Sequence, residues 1–297
     1  MRYRTLGRTG MSVSEVSLGG AYLKGPDPGR YEENAAAVVR RAAELGINYL
    51  DTAPGYGPSE ELLGPALEHT GRPFRVATKV GFVPEDFDFR RDSVVASLEA
   101  SLRKLRIDRL AVAQIHEVNL VGWERIMEPG GALDGLRAAR GAGLCEAIGI
   151  TGRAIPLLAR LAATGEFDTV LVYHDYHPAC RRARDEVIPA AAKQDMGIVV
   201  GTPLGALFGH EAKRAQTLAA LSDRERGSAE RVIERLRREP GTLAQHAFRY
   251  IMADEAVSTV SSGAADVEQL EDVAGASAMG AMPAELVAEL ELLGAER

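Results

Sequence analysis

The pattern that most limits this chain is an alternation. Eight short apolar runs of strand type recur along it, at Glu15–Leu18, Asn48–Leu50, Arg75–Thr78, Ala111–Ile115, Ala147–Ile150, Thr169–Val172, Ile198–Val200 and Val257–Val260. Between them lie segments with helical spacing, at Ala35–Leu45, Ser93–Leu105, Leu133–Ala142, Pro156–Ala163, Arg184–Lys193 and Leu243–Met252. Strand and helix in turn imply parallel strands joined by helical crossovers. Eight such units in 297 residues fit one closed (β/α)8 barrel, the TIM-barrel architecture, spanning residues 1–297 as a single domain. An open doubly wound sheet usually carries a Gly-x-Gly-x-x-Gly turn after its first strand, and none follows the first run here. Arg2–Val13, with Gly7 and Gly10, predicts a small hairpin closing the barrel bottom. The charged stretch Gly201–Gly241, with a helical piece at Ser228–Arg238, predicts an insertion after the seventh strand, over the barrel mouth.

Charge and composition remove whole classes of function. A net charge of -7 argues against a nucleic-acid partner. The basic runs Arg181–Arg184 and Arg235–Arg238 have acids nearby and read as solvated helix faces. No apolar run approaches the roughly eighteen residues of a membrane span, and the opening MRYRTLGRTG has no signal-peptide core. Two cysteines, Cys145 and Cys180, make neither a disulfide framework nor a zinc cluster. The expectation is a cytoplasmic protein without a metal.

In such a barrel the chemistry sits where strands end at their C-terminal side. The stretch NYLDTAPGYGPSEELLG ends the second strand at Asp51 and places Tyr56 in a Gly-Pro loop, before a helix that Ser59 can cap. The third strand ends at Lys79 and the fourth at His116. Singly, each has an ordinary structural explanation: a turn acid, a packing lid, half an ion pair, a satisfied polar group. Four ionisable groups in consecutive units point to one acid–base site.

The ordered set LDTAPGYG, ATKVG and QIHE resembles that of the aldo-keto reductases. The opening RYRTLGRTGMSVSEVSLGG, the segments AIGITG and GTPLG, and VSTVSSGAADVEQLED are also similar to the family, so the resemblance runs nearly the whole chain. KVGFVPEDFDFRRDSVVASLEASLRKLRIDRL looks like the branch of L-galactose dehydrogenases and D-threo-aldose 1-dehydrogenases, which pyridoxal dehydrogenases share. The resemblance implies hydride transfer between a nicotinamide cofactor and an aldose, oxidised at C1 to its lactone, or a related carbonyl or alcohol. Tyr56 would carry the proton, Lys79 would favour its phenolate, Asp51 would hold Lys79 charged, and His116 would orient the substrate oxygen.

The same resemblance implies cofactor contacts at Gly20. It implies others at Thr151 and Gly152 for the nicotinamide carboxamide, and at Thr202, Leu204 and Gly205 for the pyrophosphate. Ser261, Gly263, Ala265, Asp266 and Gln269 would meet the adenosine. The family's stacking aromatic aligns with Gly201, which leaves Tyr173 as a substitute; Gly152 stands where the family often has Asn. No Lys or Arg occurs from Tyr250 through Glu296, which favours NAD over NADP. Asp266 alternatively just caps the helix Val267–Asp272. Tyr22, Phe82, Trp123 and Asn119 are substrate-pocket candidates, and the chain is expected to be a monomer or small homo-oligomer. Other readings stay open: an NADPH-dependent aldehyde or ketone reductase, and a non-catalytic barrel resembling potassium-channel β subunits. A Schiff-base lyase on Lys79 is opposed by its acid neighbour Asp51.

Overall fold

The computed structural model describes residues 1–70, 74–81 and 88–295. The chain opens with an antiparallel hairpin of β1 (Tyr3–Thr5) and β2 (Ser12–Ser14), Tyr3 opposite Ser14. Eight parallel strands then close a barrel: β3 (Val16–Gly19), β4 (Tyr49–Asp51), β5 (Arg75–Val80), β6 (Leu110–Ile115), β7 (Cys145–Gly152), β8 (Thr169–Tyr173), β9 (Gly197–Gly201) and β10 (Thr259–Ser262). The ring closes where β10 meets β3, Val260 beside Val16. Each apolar run becomes a barrel strand, with its ends moved by a residue or two.

The helices are α1 (Tyr31–Glu44), α2 (Ser59–Glu68), α3 (Arg91–Leu105), α4 (Val118–Met127), α5 (Ala132–Gly141), α6 (Ile155–Ala162), α7 (Arg182–Ala192), α8 (Glu211–Ala220), α9 (Asp223–Leu236), α10 (Leu243–Met252), α11 (Val267–Met279) and α12 (Ala284–Ala295). None of the described helices is long and apolar enough to cross a membrane. The 201–241 stretch folds into α8 and α9. A capping box of Ser222 and Glu225 starts α9, which buries Ala229, Val232, Ile233 and Leu236 and docks on α12 through Arg235–Glu289. Ser59 does not cap α2. Pro58 holds that position, and the Ser59 hydroxyl turns inward to donate to Gly20 O (2.9 Å) and pair with Thr52 Oγ1 (2.8 Å).

The period of two along each strand builds two cores. Leu50, Val76, Ile148, Val170 and Val200 face the helices in the larger apolar cluster. Tyr49, Ala77, Val112, Ala147, Leu171 and Val199 face the barrel interior in the smaller one. The hairpin adds Leu6, Met11 and Val13 to that interior cluster and so plugs the bottom. Arg4 ties the hairpin to Glu15 (2.9 Å) and to the carbonyls of Met252, Asp254 and Val257.

The plug fits because Gly7 has no side chain. Its φ is +47°, and a Cβ there would lie 2.3 Å from backbone atoms of Met196 and Gly197. Gly7→Ala must bear both a left-handed conformation and an overlap with backbone that cannot rotate away. It should cost about 2 kcal/mol or more, read as a lower denaturant midpoint at unchanged slope.

Candidate active site

The same alternation that fills the barrel interior also aims the residues at its top. Asp51 stands above Tyr49 on β4, Lys79 above Ala77 on β5, and Gln114 above Val112 on β6. Their side chains meet inside the mouth. Lys79 Nζ donates to Asp51 Oδ2 at 2.5 Å and to Thr52 O at 2.9 Å. Gln114 Nε2 donates to Asp51 Oδ1 at 2.8 Å, so both carboxylate oxygens are engaged. Lys79 is 1% exposed and Asp51 4%. Two charges this deep persist only because each is the other's partner and hydrogen bonds take up the remaining capacity.

Tyr56 reaches the pair from the loop after β4, where its N–H donates to Ala53 O. Lys79 Nζ lies 4.6 Å from the Tyr56 ring centroid. His116 follows β6, held by its N–H to Val80 O at 3.1 Å, and its ring meets Tyr56 edge to face, centroids 5.7 Å apart. All four predicted residues therefore converge.

The electrostatics divide their roles. Burial works against the Lys79 ammonium, but Asp51 and Tyr56 outweigh it and raise the lysine above its ordinary value. Burial raises the Tyr56 phenol, Lys79 pulls it down, and Asp51 pushes it up again, for a net rise. The expected pull of the lysine is thus present, but burial exceeds it and the phenol is protonated at neutral pH. Burial, reinforced by Lys79, lowers His116 to about 2, so its imidazole is neutral. A phenol touching an ammonium, beside a neutral imidazole, can donate its proton to an oxygen or, as the phenolate, take one from it, while the imidazole N–H holds that oxygen.

The predicted cofactor positions line the same end of the barrel. Gly20 follows β3, Thr151 and Gly152 end β7, Tyr173 ends β8, Thr202–Gly205 follow β9, and Ser261–Asp266 run from β10 into α11. Thr151 is buried, and its hydroxyl has no hydrogen-bond partner among the described residues, as a group kept for a bound carboxamide would be. At Gly152 a Cβ would lie 2.9 Å from Asn119 Oδ1, so the first turn of α4 occupies the space a side chain would need. Asp266 does cap α11, accepting from Gln269 N at 2.8 Å, and Gln269 Nε2 donates to its other oxygen. This chain's residues fit a nicotinamide dinucleotide along β7, β9 and β10.

The substrate candidates separate. Tyr22 is 54% exposed, with its ring against Gly263 at the β10 edge. Trp123 packs on the larger apolar cluster, and Arg160 covers its ring, the guanidinium carbon 3.6 Å from the centroid. Phe82 lies outside the described residues. Two residues went unnoticed in the sequence. Gln114, two before His116 and on the same face, holds Asp51; the inward column of β6 could have found it. Glu117, next after His116, accepts a hydrogen bond from Tyr173.

Residues 15–294 match the model of the Aldo/keto reductase family. Over 99% of this chain and 90% of the relative, the sequence is 28% identical to an L-galactose dehydrogenase of Arabidopsis thaliana. It is also 28% identical to a D-threo-aldose 1-dehydrogenase of a Pseudomonas species, over 69% of this chain and 70% of the relative. The fold matches an aldo-keto reductase of Bacillus halodurans, solved in its holo form, with a TM-score of 0.80 at 24% identity, covering 99% of this chain and 96% of the other.

Asp51→Asn would leave the Lys79 ammonium buried without its counter-charge. That should cost about 3 kcal/mol, seen as a lower denaturation midpoint. Adding Lys79→Met should restore part of the loss, because the stranded charge is then gone. A double variant as unstable as the sum of the singles would show that the pair is not coupled.

Proposed function

The chain belongs to the aldo/keto reductase family, and from that premise we propose that it oxidises an aldose at C1 to the lactone, with NAD as the preferred cofactor. One observation carries the reading: Asp51, Tyr56, Lys79 and His116 converge from consecutive barrel units on a single mouth. The aldose half takes support from the Arabidopsis and Pseudomonas relatives, both sugar dehydrogenases by name. A bound nicotinamide supplies the hydride acceptor. Tyr56 takes the hydroxyl proton, or returns it in reduction. Lys79 stabilises the phenolate that takes the proton in oxidation and is left behind in reduction, and Asp51 with Gln114 keeps the lysine in place. Neutral His116 donates its N–H to the substrate oxygen and sets the angle of approach.

Tyr56→Phe keeps the ring and removes the proton path. Turnover should fall by roughly 100- to 10,000-fold, with cofactor affinity by fluorescence titration nearly unchanged. Because the phenol titrates above its ordinary value, oxidation should climb through the alkaline range as the base form grows. Lys79→Met removes the downward pull and should move that limb to still higher pH, or abolish activity. A flat oxidation profile from about pH 7 to 10 sinks the proton-carrier role.

The cofactor preference rests on the β10–α11 loop. It holds Gly263, Ala265 and Asp266, without a Lys or Arg from Tyr250 through Glu296. The alternative base comes from the 201–241 segment, as Lys213 or Arg214; the Arg214 guanidinium already donates to Leu207 O and Gly209 O, both at 2.7 Å. A 2′-phosphate would meet the Asp266 carboxylate with no cation of the loop to offset it. NAD should exceed NADP in kcat/KM by at least about tenfold, or about 1.4 kcal/mol. The comparison on the unmodified protein decides. An NADP preference would point to Lys213 of the 201–241 segment, or to Lys24, exposed and next to Gly25, which lies against Ala265 O.

A further inference from the structure

Glu117 immediately follows His116, yet its side chain does nothing for the helix that it starts. It is the N-cap of α4 with φ 53° and ψ 64°, and it makes no capping hydrogen bond. A non-glycine residue in that region is strained, and such strain persists where surrounding contacts fix it. Here the contact is Tyr173, whose hydroxyl donates to Glu117 Oε1. β6 and β8 flank β7, so this bond spans the end of β7, where Gly152 has no side chain of its own. Among the described residues the hydrogen bond to this carboxylate runs to Oε1, and Oε2 is its other acceptor. The carboxylate lies close enough to Tyr56 to bear on its ionisation. Tyr173 is itself braced: Arg153 lies beside its ring at 5.9 Å, held by Asp175 at 3.0 Å, and Asp175 also takes Arg182 at 3.1 Å. The arginine beside Tyr173 thus already has its carboxylate partner in Asp175.

We propose that Glu117 is a specificity-determining residue of this site. Its second carboxylate oxygen accepts hydrogen bonds from hydroxyls of a neutral sugar, and its charge turns away sugars that carry an acid group. Tyr173 is a positioning residue that aims it. The proposal rests on the dehydrogenase reading above and deepens it. Carboxylates suit sugar hydroxyls because they only accept, and two adjacent hydroxyls offer two donors. The same charge repels an anionic substrate with little water between them. The plainer alternative is that Glu117 merely ties α4 to β8.

Glu117→Gln separates the two, since the amide oxygen can still accept from Tyr173 while the charge is lost. The measurement is kcat/KM with NAD for a set of neutral aldoses and for the matching uronic acids. The ratio of aldose to uronic acid should fall about tenfold or more, the scale of one hydrogen bond to a charged group, and the rate on uronic acids should rise in absolute terms, which a misfolded protein cannot do. Tyr173→Phe should lower the ratio in the same direction through a higher KM for aldoses. An unchanged ratio in both variants overturns the role of Glu117 and leaves the dehydrogenase reading standing. An unmodified chain that oxidises no aldose overturns both.

Discussion

The mouth of this barrel is organised around one buried ion pair. Asp51 and Lys79 face each other because β4 and β5 run side by side, Asp51 level with Ala77, and the lysine is two residues further up the same inward column. Three neighbours lean on that pair. Tyr56 has an ammonium at its ring, His116 stays neutral partly because the ammonium is near, and Gln114 spends its amide on the carboxylate. Such a pair is poor value as stabilisation, since desolvation offsets most of the attraction. Its use is to hold a positive charge where water would otherwise screen it.

The barrel was legible because its signal is redundant. Eight apolar runs at parallel-strand length say the same thing eight times, and a shift of one residue in any of them changes nothing. The four ionisable residues were legible for a related reason: strand ends in this architecture share one destination. What stayed hidden depends on side-chain direction. Ser59 had the right type and place for a cap, but its hydroxyl found Gly20 and Thr52 inside. Trp123, a substrate-pocket candidate, has its ring under Arg160, a contact that spacing does not reveal. The phenol's ionisation also needed depth, because spacing reveals the lysine but not how much water has been excluded.

Asp266 illustrates how a residue can satisfy two accounts at once. It caps α11, and this was the bland expectation for it. Yet the cap fixes a carboxylate at the edge of the loop where a dinucleotide's ribose would lie under the proposed reading. Under that reading capping and cofactor discrimination do not compete, because the first would immobilise the charge that the second uses.

The hairpin plug carries a consequence for how the chain reaches its fold. Residues of the hairpin and β3 are bound by residues made far later: Arg4 by the carbonyls of Met252, Asp254 and Val257, Arg2 N by Ser277 Oγ, and β3 by β10. Contacts separated by some 250 positions cannot form until α10 and β10 have left the ribosome. Until then β3 is an open edge and the hairpin's Leu6, Met11 and Val13 have no complete interior to enter. During synthesis the nascent chain thus exposes its N-terminal apolar surface longest, and any truncation before β10 makes that exposure permanent.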